Sequence, residues 1–256
     1  MKKIRIFYSS YFQDNPDRIA ELEGPDIDVD FSVLTEHYRT LGKNNLKYLE
    51  KFIPLWEREW EPELFDPKAR IVLLENKNVE RSFGEEINYG DADTDFTALM
   101  VWTVGEGIEK KSAKLMSLRG DLMSGFLLDV AGSIALYDMH RVLLEWVSDK
   151  VQREHSKFVS AELYPGFQNT LQLIMDKIEI TGKTEETIGV KAQSNLMLKP
   201  RKTQCSFVGF GNESVALSSS VMKCNPCSGK RCLYYQLGGC HMDVLAVKGY
   251  DVKSDA

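Results

Sequence analysis

Hydrophobic and polar positions along the first hundred residues predict several strands. Residues 4–8 alternate between apolar and polar side chains, as a short strand does, whereas the acidic segment 21–30 predicts a surface connection. Runs rich in leucine and β-branched residues at 70–74 and 96–104 predict buried strands, and the polar segment 75–95 between them predicts a loop. Two of these strands are therefore expected inside the core.

Helical periodicity follows in three places. Residues 44–60 predict an amphipathic helix that Pro54 bends or interrupts, residues 106–118 predict a charged helix, and residues 122–155 predict one long helix. Small residues in the long helix cost helix propensity but let another element approach its backbone, so tight packing is expected there. These small residues are Gly125, Ala131, Gly132, Ser133 and Ala135.

The remaining pattern decides the fold class. A short strand is predicted at 158–161, a helix at 169–180, and strands at 190–198 and 204–210. Because strands and helices do not alternate strictly, the order predicts an α+β fold with a mainly antiparallel sheet flanked by helices.

Composition and charge exclude some partners. With 256 residues and 43% hydrophobic content, the chain can bury one substantial core, or one core and a small appendage. The net charge of −6 is spread along the chain, and the basic run 199–202 is short, so nucleic acid is not expected as a partner. No apolar run approaches the roughly 20 residues that cross a bilayer. We therefore expect a cytoplasmic protein with no membrane partner.

Cysteines concentrate near the C-terminus. Four of the five follow the spacing C-x2-C-x4-C-x7-C, and nearby Pro226 and glycines supply bends that bring thiolates together. Four thiolates hold either zinc or an iron–sulfur cluster, and the spacing alone does not choose between them; free or oxidisable thiols are the other interpretation. The fifth, Cys205, lies in a predicted strand and is interpreted as a small core residue. The predicted metal ligands are Cys224, Cys227, Cys232 and Cys240.

Short motifs also follow one another in a particular order along the chain. They are Thr103-Val104-Gly105, the small-residue helix segment 126–133, Tyr164-Pro165-Gly166-Phe167, Gly189-Val190 and the run 196–200. Over about residues 40–235, this order resembles the reactivation (activation) domain of cobalamin-dependent methionine synthase. The chain looks like a stand-alone member with an N-terminal extension (1–40), an activation-like domain (41–215) and a cysteine-rich metal-binding tail (216–256). The resemblance implies a strongly curved sheet flanked by helices.

The resemblance also implies a cofactor site. In the family, an arginine ahead of Pro-Gly holds the carboxylate of S-adenosylmethionine, and a tyrosine after Pro-Gly helps to line the site. Here Glu162 stands in place of the arginine and Phe167 in place of the tyrosine. A carboxylate and a guanidinium make opposite demands on a ligand carboxylate, so S-adenosylmethionine would not bind here in an unchanged way, and whether the chain binds this cofactor stays open. The cofactor-facing or ligand-facing residues are predicted to be Glu162, Tyr164, Pro165, Gly166 and Phe167.

The function implied by the resemblance is reductive activation or docking of a corrinoid (vitamin B12) methyltransferase system. In methionine synthase, inactive cob(II) is reduced to cob(I), and methyl transfer from S-adenosylmethionine traps the reduced state. The expected partner is a corrinoid protein or cobalamin-dependent methyltransferase, which carries the corrinoid. This reductive setting favours an iron–sulfur cluster over zinc at the four cysteines. Whether the chain is itself an enzyme stays open.

Two alternatives belong to other functional classes. The first is a non-catalytic adaptor of a corrinoid protein with a structural zinc. The second is a methyltransferase component whose rewritten small-molecule site uses Glu162 to meet a cationic group such as an amine.

Asp138 and His140 resemble the start of Asp-x-His-x-x-Gly, the signature by which corrinoid carriers present a histidine to cobalt. Leu143 replaces the glycine, and the segment lies within a predicted helix. We therefore predict a helix-surface histidine and do not expect this chain to carry the corrinoid.

Overall fold

The computed structural model describes residues 2–11, 20–31, 54, 64–77, 79, 87, 89, 92–117, 121–163, 183–194 and 197–214. Its strands are β1 (Lys2–Tyr11), β2 (Ala20–Val29), β3 (Lys68–Glu75), β4 (Phe96–Thr103), β5 (Phe158–Leu163), β6 (Lys191–Ala192), β7 (Leu198–Lys199) and β8 (Thr203–Gly211). Its helices are α1 (Gly107–Ser117), α2 (Leu122–His155) and α3 (Thr184–Ile188).

Six of these strands form one sheet in the order β2-β1-β3-β4-β8-β5. The β1 and β3 pair is parallel, and the other four pairs are antiparallel. The predicted α+β class with a mainly antiparallel sheet is therefore confirmed. Strands predicted at 4–8, 70–74, 96–104, 158–161 and 204–210 correspond to β1, β3, β4, β5 and β8.

The connection predicted for residues 21–30 is wrong, because this segment forms β2, the outermost described strand on its side of the sheet. Its register with β1 shifts between Arg5 and Phe7, so that Gly24 and Pro25 face one residue, Ile6. Such a bulge on an outer strand accommodates a proline, which has no N–H to donate. Val29 reaches the core and is 1% exposed.

The strands β1 and β2 thus share a sheet with β3. The domain boundaries at residues 40 and 215 stay predictions, since residues 32–53 and 215–256 lie outside the described part of the chain.

Helix α2 covers one face of the sheet and, with α1, confirms the two helices predicted at 106–118 and 122–155. A β-carbon built at Gly125 would lie 2.7 Å from Met116 Cγ and 2.9 Å from the Ser112 carbonyl oxygen of α1. One built at Gly132 would lie 2.9 Å from Ile108 Cγ2. The predicted tight packing at the small residues is therefore confirmed, and α1 is the element that approaches.

The other face of the sheet is covered in part by α3 and the residues that follow it. Helix α3 ends at Gly189, whose φ of 71° suits glycine, and Ile188, Val190 and Leu198 are buried on this face. The continuous strand predicted for 190–198 is wrong, because β6 and β7 pair with each other as a short antiparallel hairpin. The Gln193 N–H closes this hairpin by donating to the Met197 carbonyl at 2.8 Å.

Helix α2 is also long and apolar enough, by length and composition, to cross a membrane, with a mean hydropathy of 1.3 over an 18-residue window. However, 61% of that window is buried inside the protein, which fits the core helix of a soluble protein. The predicted cytoplasmic location stays a prediction. The helix predicted at 169–180 and nearly all of that at 44–60 lie outside the described residues.

Candidate functional site: a polar seam between helix α2 and strands β5 and β8

A line of polar side chains runs along α2, spaced by four, four and three residues, which places them on one side of the helix. Polar side chains from β8 and β5, and that of Lys202 just before β8, lie against this side. We call this set the polar seam. Its members are Asp129, Ser133, Tyr137 and His140 from α2, and Glu162, Lys202, Gln204 and Ser206 from the sheet side.

Lys202 occupies one end of the seam. Its ammonium lies 2.9 Å from Asp129 Oδ2 and donates to Ser133 Oγ at 2.8 Å, and its own carbonyl accepts from the Val104 N–H at 3.2 Å and from Thr103 Oγ1 at 3.0 Å. Two segments of the motif order, residues 103–105 and the small-residue segment of α2, therefore meet at Lys202, which lies two positions after the motif run 196–200. The Lys199-Pro200 peptide bond is cis.

Glu162 and His140 form a buried pair at the other end of the seam. Glu162, in β5, is 2% exposed, and its Oε1 lies 2.7 Å from His140 Nε2. The imidazole also packs on the indole of Trp102 in β4, with ring centroids 5.2 Å apart and an interplanar angle of 30°. The indole N–H donates in turn to the Leu136 carbonyl at 2.8 Å. A carboxylate this deep is costly without a polar partner, and His140 supplies one.

The helix-surface position predicted for His140 is therefore wrong, although the residue does lie in a helix. Its side chain is only 17% exposed, because α2 turns it toward the sheet, where Trp102 and Glu162 receive it. Sequence reasoning missed this pair. The available signal was the recurrence of polar residues along one side of an otherwise apolar helix.

Gln204 and Ser206 complete the seam on β8. The Gln204 Nε2 donates to the Tyr137 hydroxyl at 3.2 Å. Ser206 is fully buried, and because it is two residues further along the strand it faces the same side of the sheet. Among the described residues, Gln204 Oε1 and Ser206 Oγ have no hydrogen-bond partner.

Of the predicted ligand-facing residues, the structure describes Glu162, which faces His140 inside the protein. The other four, Tyr164, Pro165, Gly166 and Phe167, lie outside the described residues, as do the predicted metal ligands Cys224, Cys227, Cys232 and Cys240. Within the described part of the chain, no three His, Cys, Asp or Glu side chains are grouped so as to hold a metal ion.

Cys205 is buried in β8, which confirms its predicted place in the core. Desolvation by burial raises the pKa of its thiol to about 12. The thiolate, which is the nucleophile and metal ligand, is therefore disfavoured at this position.

No protein-family model matches this chain, and no curated protein is significantly similar to it in sequence. The resemblance to the methionine synthase activation domain therefore rests on the order of the short motifs, and what it implies for function belongs to the proposal that follows.

Proposed function

We propose that this protein serves a corrinoid methyltransferase system, by docking on a corrinoid protein and helping to return its cobalt from cob(II) to cob(I). The observation that carries the proposal is that two motif segments, 103–105 and 126–133, both contact Lys202, which lies two positions after the motif run 196–200. Thr103 and Lys202 are 99 positions apart in sequence, yet the Thr103 hydroxyl donates to the Lys202 carbonyl. Lys202 also reaches Asp129 and Ser133 of the small-residue segment.

This meeting supports the resemblance for a physical reason. Short motifs that match a family by chance have no reason to adjoin in space, whereas motifs that build one scaffold do. Gly132 adds to the argument, since a β-carbon there would lie 3.2 Å from Lys202 Cγ, so the small residue lets Lys202 pack closely where it crosses α2. The small-residue segment of α2 and the residues near the run 196–200 are thus packed against each other.

The docking part of the proposal concerns residues 164–167. Glu162 lies two positions before Tyr164, and its buried bond to His140 fixes the end of β5 against α2. We assign residues 164–167 to the face that contacts the corrinoid protein or its ligand. On this assignment, Phe167→Ala weakens binding of the partner. A change at exposed Lys77, which follows β3 and is separated from β5 by the strands β4 and β8, leaves it intact.

The reductive part concerns the four clustered cysteines. Their donor set suits an iron–sulfur cluster, which when bound would supply the one electron that converts cob(II) to cob(I). An external low-potential reductant must then restore that electron. Buried Cys205 is excluded from this set, because its raised thiol pKa disfavours the thiolate that a metal requires.

Glu162 is assigned a structural role in this proposal. Its carboxylate is 2% exposed and bonded to His140, so binding an amine or the carboxylate of S-adenosylmethionine at this position would first require the pair to separate. For this reason the methyltransferase alternative, in which Glu162 meets a cation, is not carried further.

The test is anaerobic purification followed by iron, sulfide and zinc analysis and a visible absorption spectrum. The proposal predicts broad visible absorption with iron and sulfide, lost in Cys224→Ser and Cys227→Ser. The matched control is Cys205→Ala, which should keep the spectrum because this thiol lies in the sheet. Colourless protein with stoichiometric zinc would instead favour the adaptor with a structural zinc, and unchanged metal content in the Cys224 and Cys227 variants would refute the ligand assignment.

A further inference from the structure

Two polar atoms of the seam, Gln204 Oε1 and Ser206 Oγ, are shielded from solvent and have no hydrogen-bond partner among the described residues. A buried polar atom without a partner costs free energy, and native proteins satisfy most such atoms with protein groups or ordered water. Here both atoms belong to alternate positions of one strand, 204 and 206, so their side chains lie next to each other on the same face of the sheet.

The strand register locates this point. On one side of β8, Gln204 is opposite Trp102 of β4, and on the other side Val208 is opposite Glu162 of β5. Ser206 lies between these two levels. His140 spans them, since its ring packs on Trp102 and its Nε2 contacts Glu162. Ser206 therefore lies on β8 beneath the His140 ring.

We propose that Gln204 and Ser206, beneath the His140 and Glu162 pair, form a binding site for one ordered water molecule. The water donates to Gln204 Oε1 and exchanges a hydrogen bond with the Ser206 hydroxyl. It thereby extends the hydrogen bond between Gln204 and the Tyr137 hydroxyl as far as Ser206.

The chemistry of the site favours water over other ligands. The two unpaired atoms are uncharged. Gln204 Oε1 can only accept a hydrogen bond, whereas the Ser206 hydroxyl can donate and accept, which suits a small neutral molecule that does both. Ser206 is itself a small residue, and the large side chains of Tyr137 and of Trp102 and His140 contact the positions on either side of it. A buried water of this kind has two or more polar partners, as the site provides.

The first test is a high-resolution crystal structure of the full chain. The expected result is density for a water within hydrogen-bond distance of both Gln204 Oε1 and Ser206 Oγ. Absence of that density, at a resolution where other buried waters are visible, would overturn the proposal.

The second test uses the sign of a stability change. If the Ser206 hydroxyl is truly without a partner, Ser206→Ala removes an unsatisfied group and makes unfolding less favourable. If a water is bound, the same change takes away one of its partners, and the unfolding equilibrium constant rises about fivefold. Ser148→Ala is the control, because the Ser148 hydroxyl already donates to the Leu144 carbonyl at 2.6 Å. An unchanged or smaller unfolding constant for Ser206→Ala would contradict the water site.

Discussion

The pair of Glu162 and His140 makes the sharpest test of how the seam is built. Replacing His140 by leucine keeps an apolar side chain over Trp102 but leaves the Glu162 carboxylate, 2% exposed, without its histidine. Leaving a buried carboxylate without its partner typically costs about 3–5 kcal/mol. His140 retains 17% exposure, which lets some water reach the site, so we expect the lower end, about 3 kcal/mol.

The double variant His140→Leu/Glu162→Leu should recover most of this loss. With both polar groups gone, no buried charge is left unpaired, and well-packed apolar replacements of buried pairs are often neutral or stabilising. The two single changes should therefore be strongly non-additive, with a coupling free energy of about 2–3 kcal/mol.

The assay is urea denaturation at neutral pH, followed by circular dichroism, on the wild type, both single variants and the double variant. An exposed ion pair serves as the control. Glu106, just before α1, pairs with Lys110, one turn further along the surface of that helix. Glu106→Ala should change the free energy of unfolding by about 1 kcal/mol or less. Additive single changes, or a cost below about 1 kcal/mol for His140→Leu, would show that the pair does not brace β5 against α2.

Four further predictions rest on packing, burial and charge. Gly125→Ala should destabilise the protein by about 1–3 kcal/mol in thermal or urea unfolding, and by more than Gly132→Ala does. The reason is that the new methyl group meets backbone atoms at Gly125 but side chains at Gly132. Equal costs for the two variants would contradict this reasoning. With the four tail cysteines replaced by serine, Cys205 should resist a thiol reagent at neutral pH in the folded protein and react once it is unfolded, and rapid labelling of the folded protein would refute its burial. The pKa of this thiol rises from 9.0 in the unfolded chain to about 12 in the folded protein. Its contribution to the free energy of unfolding should therefore be complete below pH 9 and should decline as the pH rises toward 12. In alkaline denaturation curves, Cys205→Ala should make this decline smaller. Lys202→Met should cost about 1–3 kcal/mol by urea denaturation, since Asp129 and Ser133 each lose one of their partners, and a cost near zero would argue against Lys202 as the joint between motif segments.

The sequence predicted well those elements whose apolar pattern continues over many residues. Helix α2 was expected at 122–155 and is observed at Leu122–His155, because its apolar run is long and the chain turns sharply at Ser156, with φ of 55°. Strands β3 and β4 were predictable for a similar reason, since both are buried on both faces and read as continuous apolar runs.

The failures lie where tertiary contacts decide. The acidic segment 21–30 forms a strand because β1 offers a pairing edge, and an outer strand tolerates charge and proline that an inner one would exclude. The pairing of His140 with Glu162 joins residues 22 positions apart on different elements, so no local pattern contains it. The same holds for Lys202, whose partners come from α2 and from the segment that follows β4.

The measurement that tests the proposed function most directly is the reduction of cob(II) to cob(I) on a corrinoid protein, followed by absorbance under anaerobic conditions with a low-potential chemical reductant. We predict that catalytic amounts of the metal-loaded protein accelerate cob(I) formation, that Cys224→Ser abolishes the acceleration, and that Cys205→Ala preserves it. Rates equal to those with reductant alone, for protein confirmed to carry its metal, would contradict the role as a reductive activator.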